Sequence, residues 1–572
     1  MHASPGGSVR GSSTRPWPPA LFAFLAIAAG GAAVRAADDA GGPEVAFINE
    51  QIAAGWADAE LTPSKAASDG EWCRRVHLDL IGRVPTLAEL KAYVGDRSPR
   101  KRVALVARLL GEEYVDEYAR NLTDVWTTIL IGRDTTNDRV NRPGMRQWLR
   151  RAFSRNMPYD RFMEELVTAT GANANRKGVK GFNGATNFLS GKMADMGVEN
   201  GVQATARTAQ IFLGMQVQCT QCHNHPFNKG KQNQFWELNA FFRQTRALRR
   251  FDGGNDVRWV ELVDADWKGE GGTPEEAELY YELRNGLMKV AYPVFIDGTE
   301  ISRSGYLPGR MEDGTHFGVH RRRELAALIK GSPLFPKAIV NRAWAQFLGA
   351  GFTKPVDDLG EHNPPSHPEL LDGLAERFRE RGFDLKALIG WIVLSEPYAL
   401  SSRTKPGNEA DDPALGARPR FSRFYVRQLT AEQLYESLLT ATEADKTAGG
   451  EEAAKKKDEW LSQFVVAFGT DEGDDATTFD GSIPQVLMMF NGDLVTRATG
   501  LGKGGLLDRV VNGRGAVEKR ITSLYLAALA RPPSAKELKV AATRVGAGQG
   551  GAEALRDVWW AILNSNEFVL NH

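Results

Sequence analysis

Thr430-Ala431-Glu432-Gln433-Leu434-Tyr435-Glu436-Ser437-Leu438-Leu439 decides the fold class. Thr430 and Gln433 have the spacing of the two partners in a capping box, and the apolar residues behind them recur at three and four. That pattern opens an amphipathic helix, and it returns along the chain. Thr86-x-x-Glu89, Ser366-x-x-Glu369 and Ser534-x-x-Glu537 repeat the start signal, and Leu370–Phe378 is a second apolar run behind its cap. Acids at these positions read as caps rather than catalysts. A chain made of such segments is mainly α. Arg258–Leu262 and Ala291–Ile296 alternate or are β-branched, which predicts a small strand-bearing insert between two multi-helix domains.

The 572 residues are too many for a single core, so two or three domains are expected. Polar stretches at Asp252–Glu278, Thr404–Arg420 and Gly449–Glu459 read as boundaries or long loops. The predicted organisation is a signal peptide at 1–36 and a helical domain at 44–245. An insert with short strands follows at 246–315, then a second helical domain at 316–572. Basic and acidic residues number 71 each, and this balance argues against a broad nucleic-acid surface, which needs a basic excess. Arg10 and Arg15 precede the apolar run Ala20–Ala33, and Val34-Arg35-Ala36 supplies small residues for signal cleavage. The run is too short for a stable span, and no second stretch reaches membrane length. The mature chain is therefore expected to be exported, periplasmic or cell-surface, without a membrane span.

The three cysteines cannot make a disulfide framework, so their chemistry is local. The sharpest signal is Gln218-Cys219-Thr220-Gln221-Cys222-His223-Asn224-His225-Pro226-Phe227, which follows a predicted helix at Ala204–Leu213. Cys-x-x-Cys-His is the attachment motif of c-type heme. Two thiols at this spacing reach both vinyl groups of one porphyrin, and the next histidine ligates the iron. Cys219 and Cys222 would form the thioethers and His223 the proximal bond. Two other readings use the same residues. Cys219 and Cys222 fit a simple disulfide, and Cys219, Cys222, His223 and His225 form a ligand set for zinc or another transition metal. Four ligands within seven residues strain a tetrahedral site. Met193, Met196, His316, His362 and His367 are the candidates for a distal iron ligand.

Cys73 shares a helical face with Val76 and Leu80 and is expected to be a buried, inert thiol. Gly500-Leu501-Gly502-Lys503-Gly504-Gly505 matches G-x-G-x-x-G, but the residues before it read as helix or loop, not strand. No G-x-S-x-G elbow, Walker A loop or HExxH is present. In Glu361-His362-Asn363-Pro364-Pro365-Ser366-His367-Pro368-Glu369 two histidines flank a Pro-Pro turn. His367 opens the following helix, where a cation is disfavoured, so it suits a neutral ligand or general base. His362 and His367 are thus weak catalytic candidates, with a fixed structural loop as the competing reading. Asp357 and Asp358 could bind a cation or anchor Arg342, although adjacent acids usually face water. Arg321-Arg322-Arg323 reads as a solvated helix start.

Several stretches resemble a known pair of domains. Phe47-Ile48-Asn49, Arg74–Thr86, Pro158–Phe162, Ala209–Gly214 and the segment from His225 to Phe242 are similar to PSCyt-two, a planctomycete-type cytochrome-like domain of unknown function. Asn341–Trp344, Asn363–Leu371, Ser401-Ser402-Arg403, Leu429–Leu434 and Asn564–Phe568 resemble its usual companion, PSD-one. The resemblance implies an exported protein with no established reaction, and it carries the heme-type motif onto Cys219, Cys222 and His223. Such proteins often bear an N-terminal cytochrome domain, which this sequence does not show, and His77 stands where an aromatic residue is common. The readings therefore divide three ways. The chain carries electrons through one heme to an unidentified partner, or it is a metal-dependent enzyme, or it is a structural protein of the cell surface.

Overall fold

Local start signals cap several of the helices. In the computed structural model, which describes residues 41–133, 136–193, 200–225, 229–264, 279–301, 320–447, 450–469, 483–546 and 551–572, the chain is mainly helical with a few small sheets. The capping boxes at Thr86–Glu89 and Thr430–Gln433 form reciprocally, at the heads of helices Leu87–Gly95 and Ala431–Thr442. Ser534 and Glu537 exchange the same pair of bonds, 2.6 and 3.3 Å, ahead of helix Ala535–Gly546. Ser366-x-x-Glu369 departs from this pattern. His367 is the N-cap of helix Pro368–Glu380, and the Ser366 hydroxyl pairs with His367 Nδ1 at 3.0 Å. The signal segment, Met196, Pro226, Phe227 and His316 lie outside the described residues. Among the described residues no helix is long and apolar enough to cross a membrane.

The predicted strand at Arg258–Leu262 lies within strand Val257–Asp264, the centre of a three-stranded antiparallel sheet flanked by Gly171–Ala172 and Thr245–Phe251. Of Ala291–Ile296, only Ala291 joins a strand, Met288–Ala291, which pairs with Leu279–Glu282; Val294 makes an isolated bridge to Glu300. The stretch from Gly449 to Glu459, expected to be a loop, enters helix Gly450–Phe468. Its alanines, glutamates and lysines favour helix, and Trp460 and Phe464 one turn apart bury the end of it. Gly500–Gly505 links helices Asp493–Thr499 and Leu506–Asn512, with no strand before it.

Burial then sorts these elements into two main cores. The first joins N-terminal helices to a later group, through Trp72, Tyr118, Phe162, Phe335, Trp344 and Leu374. Tyr159 stacks on Phe335 at 5.2 Å within it. The second is built from residues between Leu429 and Phe568, and Leu78 and Val84 from the N-terminal part plug into it. Helix Asp69–Ile81 therefore serves both, sending Trp72, Cys73, Val76 and Leu80 one way and Leu78 the other. Cys73 is fully buried, as its face predicts, and burial pushes its thiol pKa far up, which keeps it protonated and inert.

The same helix anchors the C-terminal strand. Arg74 donates to the carbonyls of Phe568 and Leu570 at 2.7 and 2.9 Å. Arg75 donates to the carbonyls of Tyr398, Leu400 and His572 and lies over the Phe424 ring. Asp79 accepts from Arg427 at 2.6 Å, Tyr398 Oη at 2.7 Å and Asn571 at 2.8 Å. Charged residues in Arg74–Thr86 are thus spent on joining distant segments of chain. Arg321 and Arg322 repeat the lesson and correct the reading of a solvated helix start. Both are buried: Arg321 donates to the Ala240 carbonyl, and Arg322 pairs with Asp264 at 2.7 Å and caps the carbonyls of Val167 and Ala169. A buried guanidinium must find acceptors, and those came from remote segments.

Candidate functional site

Helix Val202–Phe212, close to the predicted Ala204–Leu213, delivers the cysteine motif. Gly214 ends it with φ +62°, and a Cβ there would stand 2.8 Å from Leu359 Cδ1, so glycine is required twice over. The chain then runs through the 3₁₀ turn Gln218–Gln221. Three residues make one turn of such a helix, so Cys219 and Cys222 come onto the same side. Both are exposed, free thiols. The turn itself is fixed from behind. Thr220 is buried and donates to the Val217 carbonyl at 2.6 Å, and the Gln221 carbonyl accepts from Trp236 Nε1 at 3.0 Å and Gln232 Nε2 at 3.2 Å. Asn224 Oδ1 accepts the Gln232 N–H at 3.0 Å.

His223 lies 2.7 Å, through Nδ1, from the carbonyl of Asn224. A carbonyl can only accept, so Nδ1 carries the proton and Nε2 keeps its lone pair for a metal. Two accessible thiols on one side of a turn and an imidazole with its Nε2 uncommitted make the donor set that c-type heme requires. Among the described residues no group of three or more His, Cys, Asp or Glu side chains is arranged to hold a metal ion. His225 instead joins the wall of a neighbouring cavity.

That cavity, about 60 Å³, is lined in part by Met215, Thr220, His225, Phe235, Asp358 and His362. The rings of His225 and His362 lie 6.0 Å apart, from opposite halves of the sequence. His362 Nε2 is 3.0 Å from both oxygens of Asp358, which orients the ring and leaves Nδ1 to accept. Gly360 makes room for it, because a Cβ there would stand 2.7 Å from His362 Nδ1. Asp357 is turned inward and accepts from Gln210 at 2.6 Å and Gln216 at 2.9 Å; the Leu359 N–H donates to the Gly214 carbonyl at 2.7 Å. The adjacent acids therefore part company: one fastens the Asp357–Leu359 loop to the segment before the motif, the other holds His362. Lys229 and Glu361, each next in sequence to a lining residue, form an exposed ion pair of 2.6 Å.

His367 does not join this group. It is buried, its ring packs near Phe352 and Phe421, and a Cβ on Gly55 would stand 2.7 Å from its Nε2. Burial first, then Arg420, lowers its pKa to about 4, so it is neutral as the helix start suggested. Met193 is buried in the first core. Of the distal candidates within the described residues, His362 is the one brought beside His225. The separation of Asp358 from Asp357 carries no sequence signal, because both depend on segments far along the chain.

Two family models match the chain. PSCyt2, a protein of unknown function (DUF1549), covers residues 47–247, and PSD1, a protein of unknown function (DUF1553), covers residues 321–477. No curated protein and no solved structure matches it. The cysteine turn lies within the first matched region and the Asp358–His362 loop within the second, so one chain carries regions that match both models.

Proposed function

We propose that the protein is exported, to the periplasm or cell surface, and carries one c-type heme for electron transfer to a protein partner. The observation that supports this reading most is the 3₁₀ turn, which presents the free thiols of Cys219 and Cys222 together while Asn224 occupies Nδ1 of His223. Cys219 and Cys222 would hold the group by thioether bonds, and Nε2 of His223 would face its iron. When bound, the group supplies a reversible one-electron couple. The residues of this chain do the rest. Trp236 and Gln232 keep the turn in place through the Gln221 carbonyl, and the Asn224 carbonyl fixes the imidazole tautomer and raises its basicity as a ligand. Exposure of the turn favours a short path to a partner's own cofactor.

The test is production in a host that matures c-type cytochromes, followed by a pyridine hemochrome assay. The wild-type chain is expected to give a covalent c-type spectrum. Cys219→Ala with Cys222→Ala should abolish it while leaving the far-UV circular dichroism unchanged. A colourless wild-type protein from a host that loads a control cytochrome would overturn the reading.

A further inference from the structure

A cleft lined by many polar side chains lies away from the cysteine turn, on the seam between the two main cores. It encloses about 780 Å³, within the ordinary range of about 300–1,000 Å³ for small-molecule sites. One wall is a pair of crossing segments. Ala66 bridges Leu400, the Ser401 N–H donates to the Lys65 carbonyl at 2.8 Å, and the Ser64 hydroxyl donates to the Arg403 carbonyl at 2.7 Å. Lys65 and Arg403 are thereby fixed as neighbours on one wall. The opposite wall comes from the C-terminal helices, where Arg531 is gripped by Glu537 and Glu567 at 2.6–3.0 Å.

The hydrogen-bonding ledger of this cleft is one-sided. Its acceptors are already paired: Glu537 and Glu567 with Arg531, Glu71 with Arg75 at 3.2 Å, and the main-chain oxygen of His572 with Arg75 at 3.1 Å. Its donors are not. Among the described residues neither the Lys65 ammonium nor the Arg403 guanidinium has an ion-pair or hydrogen-bond partner, and the Ser402 hydroxyl has none either. Ser68, Ser401 and Ser534 use their oxygens as acceptors for the N–H groups of Glu71, Arg403 and Glu537, so their hydroxyl protons are still available. Two cations and four hydroxyl donors, none with an acceptor of its own, call for a ligand made of acceptors. We infer that the cleft binds a small organic oxyanion, with its charged group between Lys65 and Arg403 and its remaining oxygens on the serines. Ser401-Ser402-Arg403, one of the stretches that resembles the family, then has a binding role separate from the heme-type motif.

Isothermal titration of the mature chain with inorganic phosphate, sulfate and glucuronate, and with neutral glucose as control, tests this and separates phosphate, sulfate and carboxylate chemistry. At least one anion is expected to bind and glucose is not. Lys65→Ala with Arg403→Ala should weaken binding by about tenfold or more. Ser402→Ala, which leaves the charge unchanged, should weaken it by about threefold, the worth of one donor. Both variants alter partly or fully exposed side chains, and an unchanged thermal midpoint verifies their folding. Absence of binding by all three anions up to about 10 mM would overturn the inference. So would equal binding of glucose, or undiminished binding by both variants.

Discussion

Around Asp79, three donors close on one buried carboxylate, and the two arginines before it cap carbonyls from segments hundreds of residues away. Around Cys219, the backbone is equally well fixed, but Cys219 and Cys222 face outward as free thiols. Both stretches lie within residues 47–247, the region matched by the first family model, yet they do different things. In the first, polar capacity is consumed inside the protein, which is what a structural junction needs. In the second it is left over, which is what a site needs. A motif alone does not separate the two cases; the hydrogen-bond partners do.

The largest effects are expected at the junction. Asp79→Ala strips Arg427 of its carboxylate in a buried setting and should cost about 3–5 kcal/mol in denaturant unfolding. Cys219→Ala with Cys222→Ala should stay within about 0.5 kcal/mol in the unloaded protein, since both side chains are exposed. Equal losses in the two variants would erase the comparison.

Acid comes next. Burial lowers the pKa of both His77 and His367 to about 4, whereas an unfolded histidine titrates near 6.5. Each is neutral in the folded state, so the unfolded chain binds more protons between those values. The associated stability is complete above about pH 6.5 and is lost as the pH falls toward 4, on the order of 3 kcal/mol for each residue. His77→Phe should flatten that dependence, as urea midpoints across this window would reveal. At the cavity wall, Gly360→Ala forces a Cβ against the His362 ring and should cost about 1 kcal/mol, with a displaced ring visible in a crystal structure. The smallest effect belongs to the exposed Lys229–Glu361 pair: Glu361→Gln should leave the melting temperature unchanged.

The helices were legible where their signals were local. Thr86–Glu89, Thr430–Gln433 and Ser534–Glu537 each act within four residues, and each forms the bonds its spacing suggests. Ser366–Glu369 has the same spacing, but His367 takes the cap, because the Ser366 hydroxyl turns to the imidazole instead. Arg321 and Arg322 looked solvated because Asp264 and the Ala240 carbonyl, which neutralise and cap them, belong to distant segments. At the candidate site, the Cys219–Cys222–His223 order was readable from spacing. The approach of His225 to His362 was not, since it depends on how the Asp357–Leu359 loop docks onto Gly214 and Gln216. Lys65 and Arg403 likewise become neighbours through backbone pairing that no local pattern announces.

The central claim, that the outward-facing cysteine turn holds a covalent heme, is most directly tested by the visible spectrum and intact mass of the chain matured in a cytochrome-competent host. The account predicts a c-type pyridine hemochrome and a mass increase of one heme, both lost in the Cys219→Ala, Cys222→Ala variant. A colourless protein at the mass of the bare polypeptide, or two hydrogens lighter through a Cys219–Cys222 disulfide, would contradict it.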